Sequence, residues 1–508
     1  MCTENRQNTE NSGEGFKNSN EIVIWADNEI GESIVNDTFF DIVWGNANSP
    51  NGISSYKIYV NDLLYFEVNS SVHRIHILNL EKETTYKIEI FAVDSVGNIS
   101  TNNPIKYITT TDKRYANRNI VFHFPYNLNI SEENYKKINS DPGTPITKIL
   151  KADDNNLLFL QINGLLYAQC KNKLNSVRIS EINEYHFAEI GYSSLDIDTI
   201  NKKIYFLYSN SLVDEDKWHD NQNNKAQIFI SSFNYEYTSE NCINIDLLSK
   251  KEIYSQVLYW KSHTNGNIKV YKDSLIFSVG DNITYAGSID PNKNQGKIFS
   301  IPVSEVINSE SEMNNYKIAI GLRNPYRFEV INNDMYIFDV GENRFEEINV
   351  LDLEKNQLKD FGWPYAEGYK TFQNETGIAG MKRFLKYNNV NPNDYRYYDF
   401  LESYEEMRNK NNFSEPITTY QHTEKRCAII GSGEIMLNLI EDEPKNYLMF
   451  ADYCSGELFV NNYITKSPDI IKVFEFDRQV YIFDIEILNN NEIMLSTSEG
   501  IKILTINY

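Results

Sequence analysis

From Glu21 to Thr111 apolar and polar residues alternate in short runs broken by polar turns, and no stretch follows a helical period. A β-sandwich is expected over this span. Asp41-Ile42-Val43-Trp44 centres a large aromatic in an early strand, and Tyr56, Ile58 and Val60 share one face of the next. Leu80 precedes a further alternating run, Thr84 to Asp94, which ends in the turn Ser95-Val96-Gly97-Asn98. Beyond Lys113-Arg114-Tyr115 the pattern stays strand-rich and begins to repeat. Six segments share a plan of polar turn, apolar and aromatic strand, second turn and often another strand, starting near Asn155, Asn201, Lys272, Asn332, Lys445 and Asn490. One such unit cannot bury both faces alone, whereas radial stacking buries them all, so a six-bladed β-propeller is expected. The longest interval between segments contains the polar tract Asn374 to Asn412, read as a loop elaborated over one face.

The predicted organisation is therefore all-β: a leader over 1–20, a sandwich over 21–112 and a propeller over 116–508 of the 508 residues. The leader, Thr3 to Asn20, is rich in Asn, Glu, Gly and Ser and reads as flexible. Asp and Glu number 71 against 48 Lys and Arg, a net charge of −23, which repels phosphate backbones and anionic headgroups. Nucleic acid is thereby a poor partner. No run reaches the roughly 18 apolar residues of a membrane span. The five cysteines, Cys2, Cys170, Cys242, Cys427 and Cys454, form no CxxC pair and no zinc-like spacing. Cys2 has two readings, the lipidated first residue of a bacterial lipoprotein or an accidental cysteine in a tail.

Three segments carry polar residues that strand packing does not require. Lys261-Ser262-His263-Thr264-Asn265-Gly266-Asn267 leads into a strand ending Val279-Gly280-Asp281, which returns Asp281 to the end where His263 lies. A carboxylate orienting an imidazole suits general-base catalysis, although a structural histidine in a turn fits the same residues. In Gly321-Leu322-Arg323-Asn324-Pro325, Pro325 restricts Asn324 to extended geometry and holds a cationic fork at a loop edge, able to grip a carboxylate or a developing alkoxide. Asp339-Val340-Gly341-Glu342-Asn343-Arg344-Phe345-Glu346-Glu347 is a glycine turn among acids, and Phe361-Gly362-Trp363-Pro364 follows it. Such a turn can offer oxygen ligands to a hard cation.

Taken in order, SHTNG, VGD, GKI, GLRNP, VGENRFEEIN, GWPYAEGY and DYCSG resemble the six-bladed quinoprotein family of glucose/sorbosone dehydrogenases, from about Glu189 to Gly456. Glu189-Ile190-Gly191-Tyr192-Ser193-Ser194 is similar to an earlier family motif, Glu-x-Gly-Leu-Leu-Gly. The resemblance implies a sugar dehydrogenase using pyrroloquinoline quinone (PQQ) and calcium. His263 would take the hydroxyl proton at the anomeric carbon of an aldose, with Asp281 orienting it. Arg323 and Asn324 would contact the quinone. The backbone carbonyls of Gly341 and Glu342 would hold calcium, and His422 would line the cofactor pocket or serve structure. A blade-linking disulfide, Cys427–Cys454, and with it an oxidising, extracellular or periplasmic compartment, is implied in the same way. Cys170 and Cys242 are left as an open second pair. The leading Trp44, Tyr56, Leu80 and Tyr86 resemble a fibronectin type III domain, with Tyr86 in a tyrosine-corner role and a protein partner as one use of the module.

The chain also departs from the family. Where quinone-binding members carry Arg-x-Arg-Asp, this sequence reads Tyr481-Ile482-Phe483-Asp484, and the preceding blade reads Phe450-Ala451-Asp452-Tyr453-Cys454 with no cation. Lys425, Arg426 and Arg327 are the candidates to compensate. Two functions therefore stand: a calcium- and quinone-dependent sugar dehydrogenase, or a non-catalytic propeller that binds sugar or protein, as in Hedgehog-interacting relatives.

Overall fold

The computed structural model describes residues 23–110 and 121–507, apart from 26–29, 36–39, 71–72, 78–79, 124–128, 136–137, 139–143, 172, 181, 183–188, 213–224, 259, 265, 289, 291, 343, 356, 369–412, 424, 440–443 and 465–469. The readings of Cys2, of the leader and of the 374–412 tract lie outside the described residues. The chain divides into two compact units, Met1–Arg114 and Tyr115–Tyr508.

In the first unit alternation builds two principal antiparallel sheets. One orders Ile30–Val35, Phe40–Trp44 and Arg74–Ile77; the other orders Leu63–Asn69, Ile53–Val60, Thr85–Asp94 and Ile105–Thr109. Their inward residues, among them Phe40, Ile42, Trp44, Tyr56, Ile58, Ile88 and Ile90, form one core. Trp44 meets Tyr56 edge-on with ring centroids 5.8 Å apart, a favoured aromatic geometry. Tyr86 Oη accepts the Glu81 amide at 2.7 Å, which ties the loop after Leu80 to the following strand.

Among the described residues the second unit holds six sheets, and each of the six repeated segments falls in a different one. Their leading strands are Ile146–Lys151, Gly191–Asp198, Ile268–Tyr271, Pro325–Ile331, Ile429–Leu437 and Ile482–Asn489. Six apolar clusters join consecutive sheets. Leu158 and Phe206 meet between the first and second, Tyr205 and Phe277 between the second and third, Ile298 and Ile337 between the third and fourth. Phe338 and Phe459 continue the series, then Met449 and Ile485, and Met494 with Phe159 returns it to the first sheet. The ring closes on itself. Because successive side chains point to opposite faces, Ile337 serves one cluster and Phe338 the next, which is why these strands read as continuous apolar runs. Each fully buried Leu, Ile or Phe contributes about 1.5–3 kcal/mol.

Two sheets built from the end of the chain are completed by strands from the start of the unit. Val121–His123 pairs in parallel with Ile470–Glu475, and Asn129–Asn134 pairs antiparallel with Gly500–Asn507. Cys170–Cys242 and Cys427–Cys454 are both disulfide-bonded. The first ties the outer part of the first sheet to the hairpin turn of the second, so the pair left open by the sequence is joined.

Candidate active site

The beginnings of the leading strands, with the loops before them, enclose a cavity of about 560 Å³. His263, Arg323, Asn324, Gly341 and Glu342, distant in sequence, all line it, as does Glu189. A second cavity of about 680 Å³ is lined by residues farther along the same strands, including Lys148, Lys269, Glu329 and Glu486. Arg327 sits between them. It is 2% exposed, donates Nε to Asp484 Oδ1 at 3.0 Å, and reaches the carbonyls of Thr147 and Tyr326 at 2.5 and 3.0 Å.

His263 Nδ1 lies 2.7 Å from Asp281 Oδ1. Burial pushes Asp281 upward, but the hydrogen bond and charge of His263, the charge of Arg323 and the bond from Trp363 outweigh it and hold the carboxyl below its ordinary value. An ionised Asp281 only accepts, so Nδ1 carries a proton, and in the neutral imidazole Nε2 is the acceptor. Trp363 Nε1 donates to Asp281 Oδ2 at 2.9 Å, the Ile283 amide donates to Oδ1 at 2.9 Å, and the carboxylate is 1% exposed.

The loop that carries Asp281 is backbone-strained. Asn282, Ile283 and Tyr285 have φ of 52°, 55° and 56°, and His263 itself has φ of 51°. Such conformations persist only where neighbours enforce them, and they concentrate at functional sites. Asn282 does much of the enforcing. Its side chain accepts the Trp260 amide at 3.0 Å and donates to the Trp260 and Ser262 carbonyls at 2.7 and 2.8 Å, clamping the His263 loop to the Asp281 loop. Gly280 permits the approach: a Cβ there would lie 2.6 Å from the His263 carbonyl oxygen and 2.9 Å from Asn324 Oδ1.

Arg323 Nη1 donates to the Val340 carbonyl at 3.0 Å, and its guanidinium stands 5.6 Å from the centre of the Trp363 ring. The Arg323 and Asn324 amides both donate to Asp339, at 3.0 and 2.7 Å, so one buried carboxylate fixes the backbone of both residues. Burial pushes Asp339 up to about 7, against those amides. Asn324 Nδ2 is 3.5 Å from Glu189 Oε1. Burial raises Glu189 above the usual carboxylate range, against the charges of His263 and Arg323.

The turn at Gly341 and Glu342 is wrapped on a carboxylate oxygen. Glu367 Oε1 accepts the amides of Glu342, Arg344 and Phe345 at 2.8, 3.0 and 3.3 Å. A Cβ at Gly341 would fall 1.8 Å from the Phe345 carbonyl oxygen, so only glycine fits this turn. Glu342 Oε1 accepts the Tyr285 hydroxyl at 2.8 Å, and the Tyr285 ring lies 5.7 Å from that of Trp363. Among the described residues no cluster of three or more His, Cys, Asp or Glu is arranged to hold a metal ion.

One expected site residue is elsewhere. His422 is not in the cavity wall; its Nε2 pairs with the buried Glu346, which also accepts the Ile429 amide at 2.9 Å. The pull of that carboxylate decides its position. Nor do the three compensating cations reach the cavity: Arg327 is taken by Asp484, Arg426 forms a two-point pair with Glu457 at 2.6 and 2.8 Å, and Lys425 is exposed. Tyr453 and Phe483, whose rings are 5.7 Å apart, line the wall where the family resemblance expected positive charge. Glu189, Asn282, Trp363 and Glu367 belong to the site although the sequence assigned them no role. Trp363 stood in a motif; Asn282 carried no signal beyond an asparagine in a turn.

Residues 152–389 match the family model described as Glucose / Sorbosone dehydrogenase, which bears out the resemblance read from the motifs. No curated protein matches the chain. Among solved structures, a glucose dehydrogenase is similar at a TM-score of 0.51 and 12% identity, over 74% of this chain and 99% of its own. The PQQ-bound aldose sugar dehydrogenase of Streptomyces coelicolor is similar at 0.48 and 13%, over 75% and 100%. The apo soluble aldose sugar dehydrogenase of Escherichia coli is similar at 0.47 and 16%, over 75% and 99%. These likenesses concern fold alone.

Proposed function

We propose that the second unit, a six-bladed β-propeller over residues 116–508, is a sugar-dehydrogenase-type oxidoreductase that acts on the anomeric CH–OH of an aldose. The observation that carries this reading is the His263–Asp281 contact of 2.7 Å, with His263 in the wall of a cavity of about 560 Å³ that has room for a monosaccharide. Nε2 of His263 takes the hydroxyl proton, the anomeric C–H leaves as hydride to a two-electron acceptor from outside the chain so that the aldose becomes a lactone, Asp281 stabilises the imidazolium that forms, and Arg323 steadies negative charge growing on the substrate oxygen. Trp363 holds Asp281 from behind and Arg323 from one face. Tyr326, Tyr453 and Phe483 supply apolar surface for the sugar's C–H face.

A calcium ion is compatible with the turn. Buried Glu342 Oε2 has no hydrogen-bond partner, and with the Gly341 and Glu342 carbonyls it would make an oxygen donor set of the kind a hard cation takes. Those residues would hold the ion, and when bound it would act as a Lewis acid on a ligand oxygen. PQQ does not fit. Its three carboxylates would enter a wall with one guanidinium, Arg323, and two carboxylates, Glu189 and Glu342. The assignment is therefore confined to sugar binding and proton abstraction by this chain's own residues.

The same shortage of cations favours a second reading, a propeller that binds a sugar or protein ligand without turnover. Dye reduction by the full chain with aldoses, with and without calcium and PQQ, separates the two. The dehydrogenase reading expects sugar-dependent reduction that His263→Ala abolishes. Sugar binding with no reduction under any of these conditions favours the binding module. We read residues 21–112 as a fibronectin type III domain, supported by its three- and four-stranded sheets and the Tyr86 contact. Two disulfides support an oxidising, periplasmic or extracellular compartment. No helix among the described residues is long and apolar enough to cross a membrane.

A further inference from the structure

Among the described residues that line the cavity, the buried side-chain atoms without a hydrogen-bond partner are all acceptors. Glu189 Oε2, Asn324 Oδ1 and Glu342 Oε2 are buried without a hydrogen-bond partner, and all three residues line the cavity. Asn324 as a whole is 4% exposed. A buried acceptor without a donor is costly, and a buried carboxylate oxygen more so. Among the charged side chains of the wall, carboxylates outnumber guanidinium groups. Glu189 and Glu342 face a single guanidinium, and Arg323 already spends Nη1 on the Val340 carbonyl at 3.0 Å.

A ligand bearing carboxylates would add acceptors where acceptors are in surplus. A neutral polyol would supply donors without charge. A primary ammonium supplies three donors and a compensating charge in one compact group. Glu189 and Asn324 both line the cavity and are adjacent, with Oε1 and Nδ2 3.5 Å apart, so a group that reaches one side chain is within reach of the other. We propose that the cavity selects a monosaccharide carrying a primary ammonium group, which Glu189 and Asn324 receive beside His263. This rests on the reading of the cavity as the sugar site and adds the charge class of the sugar.

Calorimetric titration of the full chain at pH 7 with glucosamine, glucose and N-acetylglucosamine tests it. Glucosamine binds at least about tenfold more tightly than either neutral sugar, the range of one charge-assisted hydrogen bond. Glu189→Gln, an isosteric change, brings glucosamine to the affinity of glucose while moving glucose by less than about twofold. Thermal melting of the same variant checks that it is folded, and Asn324→Ala gives an independent second loss. Equal affinities for glucosamine and glucose, or an ammonium preference that survives Glu189→Gln, overturn the proposal. The second result would arise if Glu189 is protonated and bonds Asn324 itself. Failure of all three sugars to bind overturns it as well. If sugars bind but Arg323→Ala and His263→Ala leave every affinity unchanged, the cavity is not the sugar site and the underlying reading fails instead.

Discussion

Trp363 donates its indole N–H to Asp281 Oδ2 at 2.9 Å, on the carboxylate whose other oxygen lies 2.7 Å from His263 Nδ1. The indole ring also carries the Arg323 guanidinium at 5.6 Å and the Tyr285 ring at 5.7 Å. One side chain thus registers the base, the guanidinium and, through the Tyr285 bond to Glu342, the glycine turn. Asp281→Asn keeps the shape but presents imidazole with an amide, which favours the wrong tautomer. Steady-state kinetics should show turnover falling on the order of 10³-fold with little change in sugar affinity. Trp363→Phe keeps an aromatic face but removes the N–H donor and part of the buried ring, and a loss of at least about tenfold is expected.

Gly280 is the closest approach between the two halves of the dyad. Gly280→Ala places a methyl 2.6 Å from the His263 carbonyl oxygen, so one loop has to move. A loss of about 1–3 kcal/mol in denaturant unfolding is expected, with a larger relative loss of turnover. Gly97, where a Cβ meets nothing within 4 Å but φ is 91°, is a control for backbone strain without crowding.

Glu457 gives the acid limb of stability a specific source. Burial raises it, but Arg426 at 2.6 Å and Lys472 at 3.0 Å outweigh burial and hold it at about 2. A carboxyl depressed in the folded state stabilises above its unfolded value of about 4.5, and that contribution is lost as pH falls toward 2. Urea unfolding of Glu457→Gln should show a deficit of about 3 kcal/mol at pH 7 that shrinks by pH 3. A deficit independent of pH would point to packing.

Cys170–Cys242 spans 72 residues and links two sheets. Replacing both cysteines by serine should cost about 2–4 kcal/mol, read as a lower melting temperature of the full chain under non-reducing conditions, with Cys427–Cys454 left as the bond that reductant still removes.

The repeated segments were legible because each strand of a stacked sheet is apolar on both faces, and a run such as Met335 to Phe338 announces that plainly. Val121–His123 was not, since three residues carry no period and their partners lie some 350 positions away. Among the residues proposed for the site, His263, Asp281, Arg323, Asn324 and the Gly341 turn stood out in the sequence because they lie in motifs of unusual composition. The contribution of Asn282 is a set of bonds to backbone, invisible in a sequence that uses asparagine everywhere. For His422 the sequence left a cavity-lining and a structural role open, because its partner Glu346 is adjacent only in space.

The most direct test of the account is a crystal structure of the full chain grown with an aldose. A sugar hydroxyl within hydrogen-bonding distance of His263 Nε2, with Arg323 on the same oxygen or its neighbour, is the predicted result. A sugar bound only in the cavity beyond Arg327, or with His263 facing none of its hydroxyls, would contradict it.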